Sequence, residues 1–382
     1  MPFNVANRII GGNRTFVIAE IGQNHQGDIE MAKRLIAEAK AAGADCVKFQ
    51  KSCLTEKFTQ NALDRAYNGV NSWGKTYGEH KEYLEFTIEQ YKSLQKYANE
   101  LDVIFTASAM DIQSLKDLEE LHVPVIKIGS GDANNIPLLV NASKLTIPLI
   151  ISTGMQNDIM VNRIVQIMND SRKTNYCLLH CVSAYPTDPN DVHLNMLHKY
   201  REYFPNITIG YSGHELGIAI STAAVAYGAK VIERHFTLDK QQKGTDHKLS
   251  LEPAELKELI TRIRSIENSL PTVTDEQTIL DFLSTVLTKD ELSDVKLAMA
   301  SLPKKQILDC ERPCRMKLGK SLVYRSHLKC GTTISPNDIC AKVNEPFGIS
   351  AEHYDNYLGK MLNKNVVTDE NLDESHFFHS DT

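Results

Sequence analysis

The chain has 382 residues, with 42 Lys+Arg against 48 Asp+Glu, a formal net charge of −6 and 42% hydrophobic residues. That length suits one large domain plus a small one, and the acidic balance leaves no cationic excess to neutralise a phosphate backbone, so no nucleic-acid partner is expected. No run reaches the roughly 18 uninterrupted apolar residues of a membrane span, and the opening "MPFNVANRII" lacks a signal-peptide pattern, so no membrane partner is expected either and a soluble, cytoplasmic protein is.

Apolar, β-branched runs recur along the chain with amphipathic segments between them, the pattern of alternating strands and helices. In chain order they are "FVIAEIG" (16–22), "CVKFQ" (46–50), "VIFTA" (103–107), "PVIKIGS" (124–130), "PLIIST" (148–153), "YCLLHC" (176–181), "ITIGYS" (207–212) and "KVIERHF" (230–236). The intervening "DIEMAKRLIAEAKAAG" opens on an Asp N-cap and closes on Gly43, and "SLEPAELKELITRIRSIENSL" carries Pro253 in its first turn. Eight such pairs predict a (β/α)8 TIM barrel over residues 1–270. The alternative, a doubly wound open sheet, lacks the expected GxGxxG opening. Residues 271–309 read as a linker with one or two helices, and 310–377 as a small β-rich domain of short strands and turns. The eight cysteines include no CxxC pair and read as reduced packing residues, in keeping with the cytosol.

In a barrel, catalytic side chains sit at the carboxyl ends of strands, and every run turns polar there. Glu20 ends the first; Lys48 and Gln50 end the second; Thr106 and Ser108 the third; Lys127 and Ser130 the fourth. Ser152 ends the fifth, Cys181 and Ser183 lead to Tyr185 after the sixth, Ser212 and His214 follow the seventh, and His235 closes the eighth. Lys48 and Gln50 share a strand face by the period of two. Two lysines among hydroxyls make a cradle for a phosphate or carboxylate, the alternative being barrel lysines paired structurally with a carboxylate such as Glu20. His214 and His235 end neighbouring strands beside Asp246 and Glu20, a donor set that suits a divalent ion with open positions rather than a closed structural zinc. The other histidines, including His376 and His379 in the tail, are expected on the surface or in loops.

The segments "AEIGQNHQGDIEMAKRLIAEAKAAGADCVKFQ", "FTASAMD", "IKIGSGD", "ISTGM", "HCVSAYPT", "GYSGHELG" and "ERHFTLDKQQKGTDHKLSLEP" together resemble the N-acetylneuraminate (sialic acid) synthase family, in order and spacing. "KLGKSLVYRSHLKCGTTISPNDICAKVNEPFG" resembles the antifreeze-like (SAF) domain attached to those enzymes, and "NSWGKTYGEHK" (71–81) is similar to the animal branch. The resemblance implies condensation of phosphoenolpyruvate with N-acetylmannosamine or its 6-phosphate and release of phosphate. It implies that His214 and His235 hold a divalent ion, Mg or Mn, and that Lys48, Lys127, Ser130, Ser152, Ser183 and Ser212 hold phosphoenolpyruvate. Glu20 would handle the proton, with Gln50, Tyr185 and Asp246 lining the sugar site and Thr106 counted among the strand-end substrate contacts. Lys320 is the match to an Arg with which the small domain of bacterial members reaches the sugar.

The long connection after the second strand adds Lys75, His80 and Lys81 close to Trp73 and Tyr77, cations expected to hold a sugar 6-phosphate, with Lys75 the residue to test. A homodimer is expected, with the small domain of one chain covering the barrel mouth of the other. Two competing readings are a synthase preferring mannose 6-phosphate and a non-catalytic binding protein.

Overall fold

The structure, a computed structural model, describes residues 1–269 and 275–378. Eight parallel strands close into a barrel in sequence order. They are β1 (Phe16–Gly22), β2 (Cys46–Lys51), β3 (Ile104–Ala109), β4 (Ile126–Ile128), β5 (Leu149–Ser152), β6 (Tyr176–Cys181), β7 (Thr208–Gly213) and β8 (Val231–His235). β8 returns to β1, with His235 opposite Glu20.

The strands are buried on both faces, as a parallel barrel requires, and their period of two sorts side chains between two cores. Val17, Ala19, Val47, Phe49 and Phe105 point outward into the main core against the helices. Phe16, Ile18, Cys46, Ile104, Val125, Ile150 and Val231 fill a second core inside the barrel, plugged from below by Val5 and Ile10 of an antiparallel pair, Phe3–Val5 with Arg8–Ile10. The inward series therefore begin apolar and end polar: Phe16–Ile18–Glu20 on β1, Cys46–Lys48–Gln50 on β2, Val231–Glu233–His235 on β8. The layered interior of a packed barrel becomes a polar floor at its carboxyl face.

Eight helices cover the outside: α1 (Ile29–Ala42), α2 (Ile88–Glu100), α3 (Ile112–Glu120), α4 (Ile136–Lys144), α5 (Asp158–Asp170), α6 (Met196–Tyr203), α7 (Ala219–Ala226) and α8 (Pro253–Ser269). At the start of α1 the Asp28 carboxylate accepts from the amides of Glu30 and Met31, and the helix stops at Gly43, φ 100°, a left-handed conformation that glycine adopts at no steric cost.

Residues 271–274 of the expected linker lie outside the described residues. The remainder forms two helices, Glu276–Val286 and Lys289–Ala298. The second packs on α7, and Ala298 O accepts the amide of Leu194. This cover explains why every residue of α7 is buried when an ordinary barrel helix keeps one wet face.

Residues 310–378 form a small unit around an antiparallel pair, β9 (Ser321–Tyr324) and β10 (Ile339–Lys342). It docks on the carboxyl face of the same chain's barrel. Phe58 bridges to Val343, Thr59 Oγ1 donates to Asn344 Oδ1 at 2.6 Å, and Asn134 Nδ2 donates to Lys320 O and Ser350 Oγ. His376, expected at the surface, is buried beneath Tyr324, Oη–Nδ1 3.2 Å; His379 lies outside the described residues. His25 and His180 are likewise core residues.

Candidate active site

A cavity of about 740 Å³ opens at the carboxyl face of the barrel. Its floor is a buried charge network. Lys48 Nζ lies 2.5 Å from Glu20 Oε2 and 3.6 Å from Glu233 Oε1, and donates to Ser108 Oγ at 3.1 Å. Lys127 Nζ donates to Ser152 Oγ at 2.7 Å and lies 3.7 Å from the same Glu233 oxygen, which also accepts from Ser212 Oγ. Gln50 Nε2 donates to Glu20 Oε1 at 2.9 Å. The lysines are thus paired with carboxylates, as the structural alternative holds, yet every member of the network lines the cavity.

The two carboxyls are driven apart. Burial pushes Glu20 up, an effect that Lys48 only partly offsets and to which Glu233 adds. Burial acts on Glu233 in the same sense, but Lys127 and Lys48 outweigh it and hold that carboxyl below its usual range. Burial also lowers the Lys127 ammonium, with Glu233 opposing. A carboxyl raised by burial beside one held low by two lysines is the arrangement that separates a proton carrier from an electrostatic anchor.

Beside this floor lies a second group. His214 Nδ1 donates to Val182 O at 2.8 Å, which fixes the tautomer and leaves Nε2 for another partner. The rings of His214 and His235 are 5.5 Å apart. Tyr185 packs 4.2 Å from His214, and Asp246 Oδ2 is 4.0 Å from His235 Nδ1. Burial lowers the His235 imidazole to about 4, whereas at His214 burial acts the same way but Cys181 and the Val182 carbonyl outweigh it and raise the ring. Among the described residues no three donors already converge as a closed metal cage. Two neutral-capable imidazoles, one with an unpartnered buried nitrogen, beside a carboxylate fit an open divalent site.

Ser130, Ser183 and Cys181 surround Gly154. A Cβ at Gly154 would stand 2.3 Å from Ser183 Oγ and 2.8 Å from Ser130 Oγ, so any side chain there would fill the cradle. The segment leading into the small unit fastens the rim: Glu311 Oε1 accepts the amides of Met155 and Ser183, and Lys305 Nζ donates to Cys181 O. The helix Arg312–Leu318 then contributes Pro313, Cys314 and Lys317 to the cavity wall.

Glu20 Oε2 and Asp132 Oδ1 are taken up by the Lys48 and Lys320 ammonium groups, but three further buried polar atoms of this cavity, Ser183 Oγ, Glu233 Oε2 and His235 Nδ1, lack a hydrogen-bond partner among the described residues. Buried polar atoms are normally satisfied, so three unsatisfied ones in one cavity mark where a polar ligand belongs.

Of the residues expected from sequence, Glu20, Lys48, Lys127, Gln50, Ser130, Ser152, Ser183, Tyr185, Ser212, Asp246, His214 and His235 all line the cavity. Thr106 does not. β3 runs to Ala109, two residues beyond its expected end, so Ser108 takes the rim position and Thr106 sits a layer below with its hydroxyl on Val125 O. Lys75 does not either: it is exposed and its amide is bonded to Glu79 as part of the cap of the helix Tyr77–Leu84. Lys320 reaches the cavity, but its ammonium is held by Asp132 Oδ1 at 2.7 Å. Sequence reasoning passed over Glu233, although the period of two places it on the same face as His235; Gly154, Lys57 and Lys317 carry no such signal.

The family model described as "NeuB family" matches residues 35–275. The chain is 53% identical over 367 residues to the N-acetylneuraminate-9-phosphate synthase of Drosophila melanogaster, covering 95% of this chain and 97% of that one. It is 46% identical over 368 residues to the protein of that name from Homo sapiens, covering 96% and 94%. Among solved structures, the spore coat polysaccharide biosynthesis protein SpsE of Bacillus subtilis matches over all of both chains, with a TM-score of 0.80 and 26% identity. The N-acetylneuraminic acid synthetase of Leptospira borgpetersenii, in complex with citrate, matches with a TM-score of 0.63 and 32% identity, covering 74% of this chain and 96% of that one.

Proposed function

The chain belongs to the NeuB family, and we infer that it is a sialic acid synthase condensing phosphoenolpyruvate with N-acetylmannosamine 6-phosphate to give N-acetylneuraminate 9-phosphate and inorganic phosphate. The observation that carries this reading is the pairing of Glu20, raised by burial, with Glu233, lowered by the two lysines beside it, on the floor of one cavity.

The bond to be made joins C3 of phosphoenolpyruvate to the aldehyde carbon of the open-chain sugar. Water adds at C2, and the bond from C2 to the phosphate oxygen breaks to leave the C2 keto group; of the two water protons one leaves with the phosphate and the other ends on the former aldehyde oxygen, now a hydroxyl. Lys127 with the hydroxyls of Ser130, Ser152 and Ser183 supplies charged and neutral donors for the phosphate and carboxylate of phosphoenolpyruvate. Lys48 lies between Glu20 and Glu233, where it steadies negative charge on either. Glu20, oriented by Gln50 and Lys48, takes the proton of the entering water and returns it on the departing phosphate side. Tyr185 and Asp246 stand on the sugar side, and Ser212 orients Glu233. His214 and His235 would hold a divalent ion, Mg or Mn, which supplies Lewis-acid polarisation of the aldehyde oxygen when bound. The small unit, with its antifreeze-like sequence, limits the access of bulk water to the mouth.

The test is phosphate release from phosphoenolpyruvate, measured with and without added sugar. Release that depends on N-acetylmannosamine 6-phosphate, is lost with EDTA and returns with Mn supports the reading. Faster release with mannose 6-phosphate favours the deaminated product, and no sugar-dependent release removes the reading.

The protein is further proposed to be a cytoplasmic homodimer. Exchange of residues 275–378 between two chains would keep every contact between barrel and small unit while changing which chain supplies it. Mixing Glu20→Gln chains with Lys317→Met/Lys320→Met chains tests this. Exchange predicts recovery of up to about a quarter of wild-type activity in a random mixture of dimers; no recovery means each chain covers its own mouth.

A further inference from the structure

The cavity is cationic in an acidic protein. Six lysines line it, Lys48, Lys57, Lys81, Lys127, Lys317 and Lys320, against four carboxylates, Glu20, Asp132, Glu233 and Asp246. Three of the lysines are accounted for: Lys48 by Glu20 and Glu233, Lys127 by Glu233, and Lys320 by Asp132. Lys57, Lys81 and Lys317 have no carboxylate within ion-pair distance among the described residues.

These three come from different parts of the chain. Lys57 ends the short helix Leu54–Lys57 after β2, Lys81 belongs to the helix Tyr77–Leu84, and Lys317 to the helix Arg312–Leu318. Lys57 is buried with its Nζ 2.8 Å from Met110 Sδ, a weak acceptor for an ammonium. Lys81 Nζ donates only to the neutral Gln23 Oε1, at 2.7 Å.

They sit close enough to disfavour one another's charge. Burial lowers Lys57 to about 7, with Lys320 and Lys81 adding to the effect. Burial lowers Lys81 to about 8, and Lys317 works in the same direction against Asp246. Lys57 is buried and Lys81 and Lys317 are half-buried; ammonium groups taken from water without counter-ions are costly, and three in one cavity wall are tolerated where an anion completes them.

We propose that Lys57, Lys81 and Lys317 form a subsite for the phosphomonoester of the sugar substrate, separate from the serine-lined cradle that takes phosphoenolpyruvate. The proposal rests on the synthase reading and adds to it the residues that make the enzyme select a phosphorylated sugar. The two groups differ in origin: the cradle is built on barrel strand ends, whereas these lysines come from the connection after β2 and from the segment entering the small unit. A phosphomonoester brings close to two negative charges and three acceptor oxygens, which matches three lysine donors better than a neutral hydroxymethyl group does.

The test compares Lys81→Met and Lys317→Met with the full-length wild type, measuring KM for N-acetylmannosamine 6-phosphate, free N-acetylmannosamine and phosphoenolpyruvate. The expected result is a rise of about 30-fold in KM for the phosphorylated sugar, the loss of one charged hydrogen bond. For the free sugar and phosphoenolpyruvate the rise is below about threefold, and Lys81→Arg recovers most of the loss. Equal rises for both sugars, or a rise confined to phosphoenolpyruvate, overturn the subsite. If the wild type turns over neither sugar, the synthase reading fails, and calorimetric titration decides the subsite separately. Tighter binding of the 6-phosphate than of the free sugar, lost in Lys81→Met, supports it; equal binding overturns it.

Discussion

Replacing Lys320 by Met separates two roles for that residue. Its Nζ lies 2.7 Å from Asp132 Oδ1, with the side chains 1% and 3% exposed. At an effective dielectric constant near 20 the attraction is about 6 kcal/mol. Desolvation of two ions cancels most of that, so the intact pair is close to neutral for stability while half of it is not. Lys320→Met leaves Asp132 buried between barrel and small unit and should destabilise by about 3–5 kcal/mol. Lys320→Met/Asp132→Leu should return to within about 1 kcal/mol of wild type, recovering at least about 2 kcal/mol of the single variant's loss. Urea unfolding followed by circular dichroism and by the fluorescence of Trp73, the sole tryptophan and a residue of the cavity wall, measures both the global transition and undocking at the mouth. A single variant as stable as wild type, or a double variant as weak as the single, refutes the ion pair and returns Lys320 to the free sugar-binding ammonium expected from sequence.

His214→Ala and His235→Ala should each lower turnover by at least about 100-fold and abolish Mn binding in calorimetry, while far-ultraviolet circular dichroism stays unchanged; Mn affinity equal to wild type in either variant sinks the ligand assignment. Glu20→Gln should lower kcat by about 10²–10⁴ with little change in KM for phosphoenolpyruvate; an effect on KM alone would assign Glu20 to binding. Acid stability should depend on His25, whose ring stacks 4.0 Å from Phe86, accepts the Gly27 amide at Nδ1 and is lowered by burial from 6.5 to about 3. Between those values the unfolded chain takes up a proton that the folded chain excludes, so stability falls as pH falls, by about 1.4 kcal/mol per unit from this group. His25→Phe should flatten the slope between pH 6 and 4; an identical slope shows that other groups carry it.

What the sequence determined by itself is whatever depends on local order. The apolar runs place eight strands, because a strand buried on both faces admits few polar residues until its end. The period of two then sets Lys48 with Gln50 and Glu233 with His235 on common faces. Asp28 and Gly43 bound α1 because capping and a positive φ act within a few residues. Depth and long-range closure are decided only by the tertiary structure. Thr106 and Ser108 share a face, and the length of β3 alone decides which reaches the rim. Lys75 and Lys81 lie six positions apart in one polar stretch, but the cap of the helix Tyr77–Leu84 turns Lys75 to solvent and Lys81 to the cavity. Glu311, Lys317 and Lys320 meet the barrel mouth across more than a hundred residues of sequence. Such encounters are fixed by the packing of whole elements against one another, and the residues that make them carry no local mark of it.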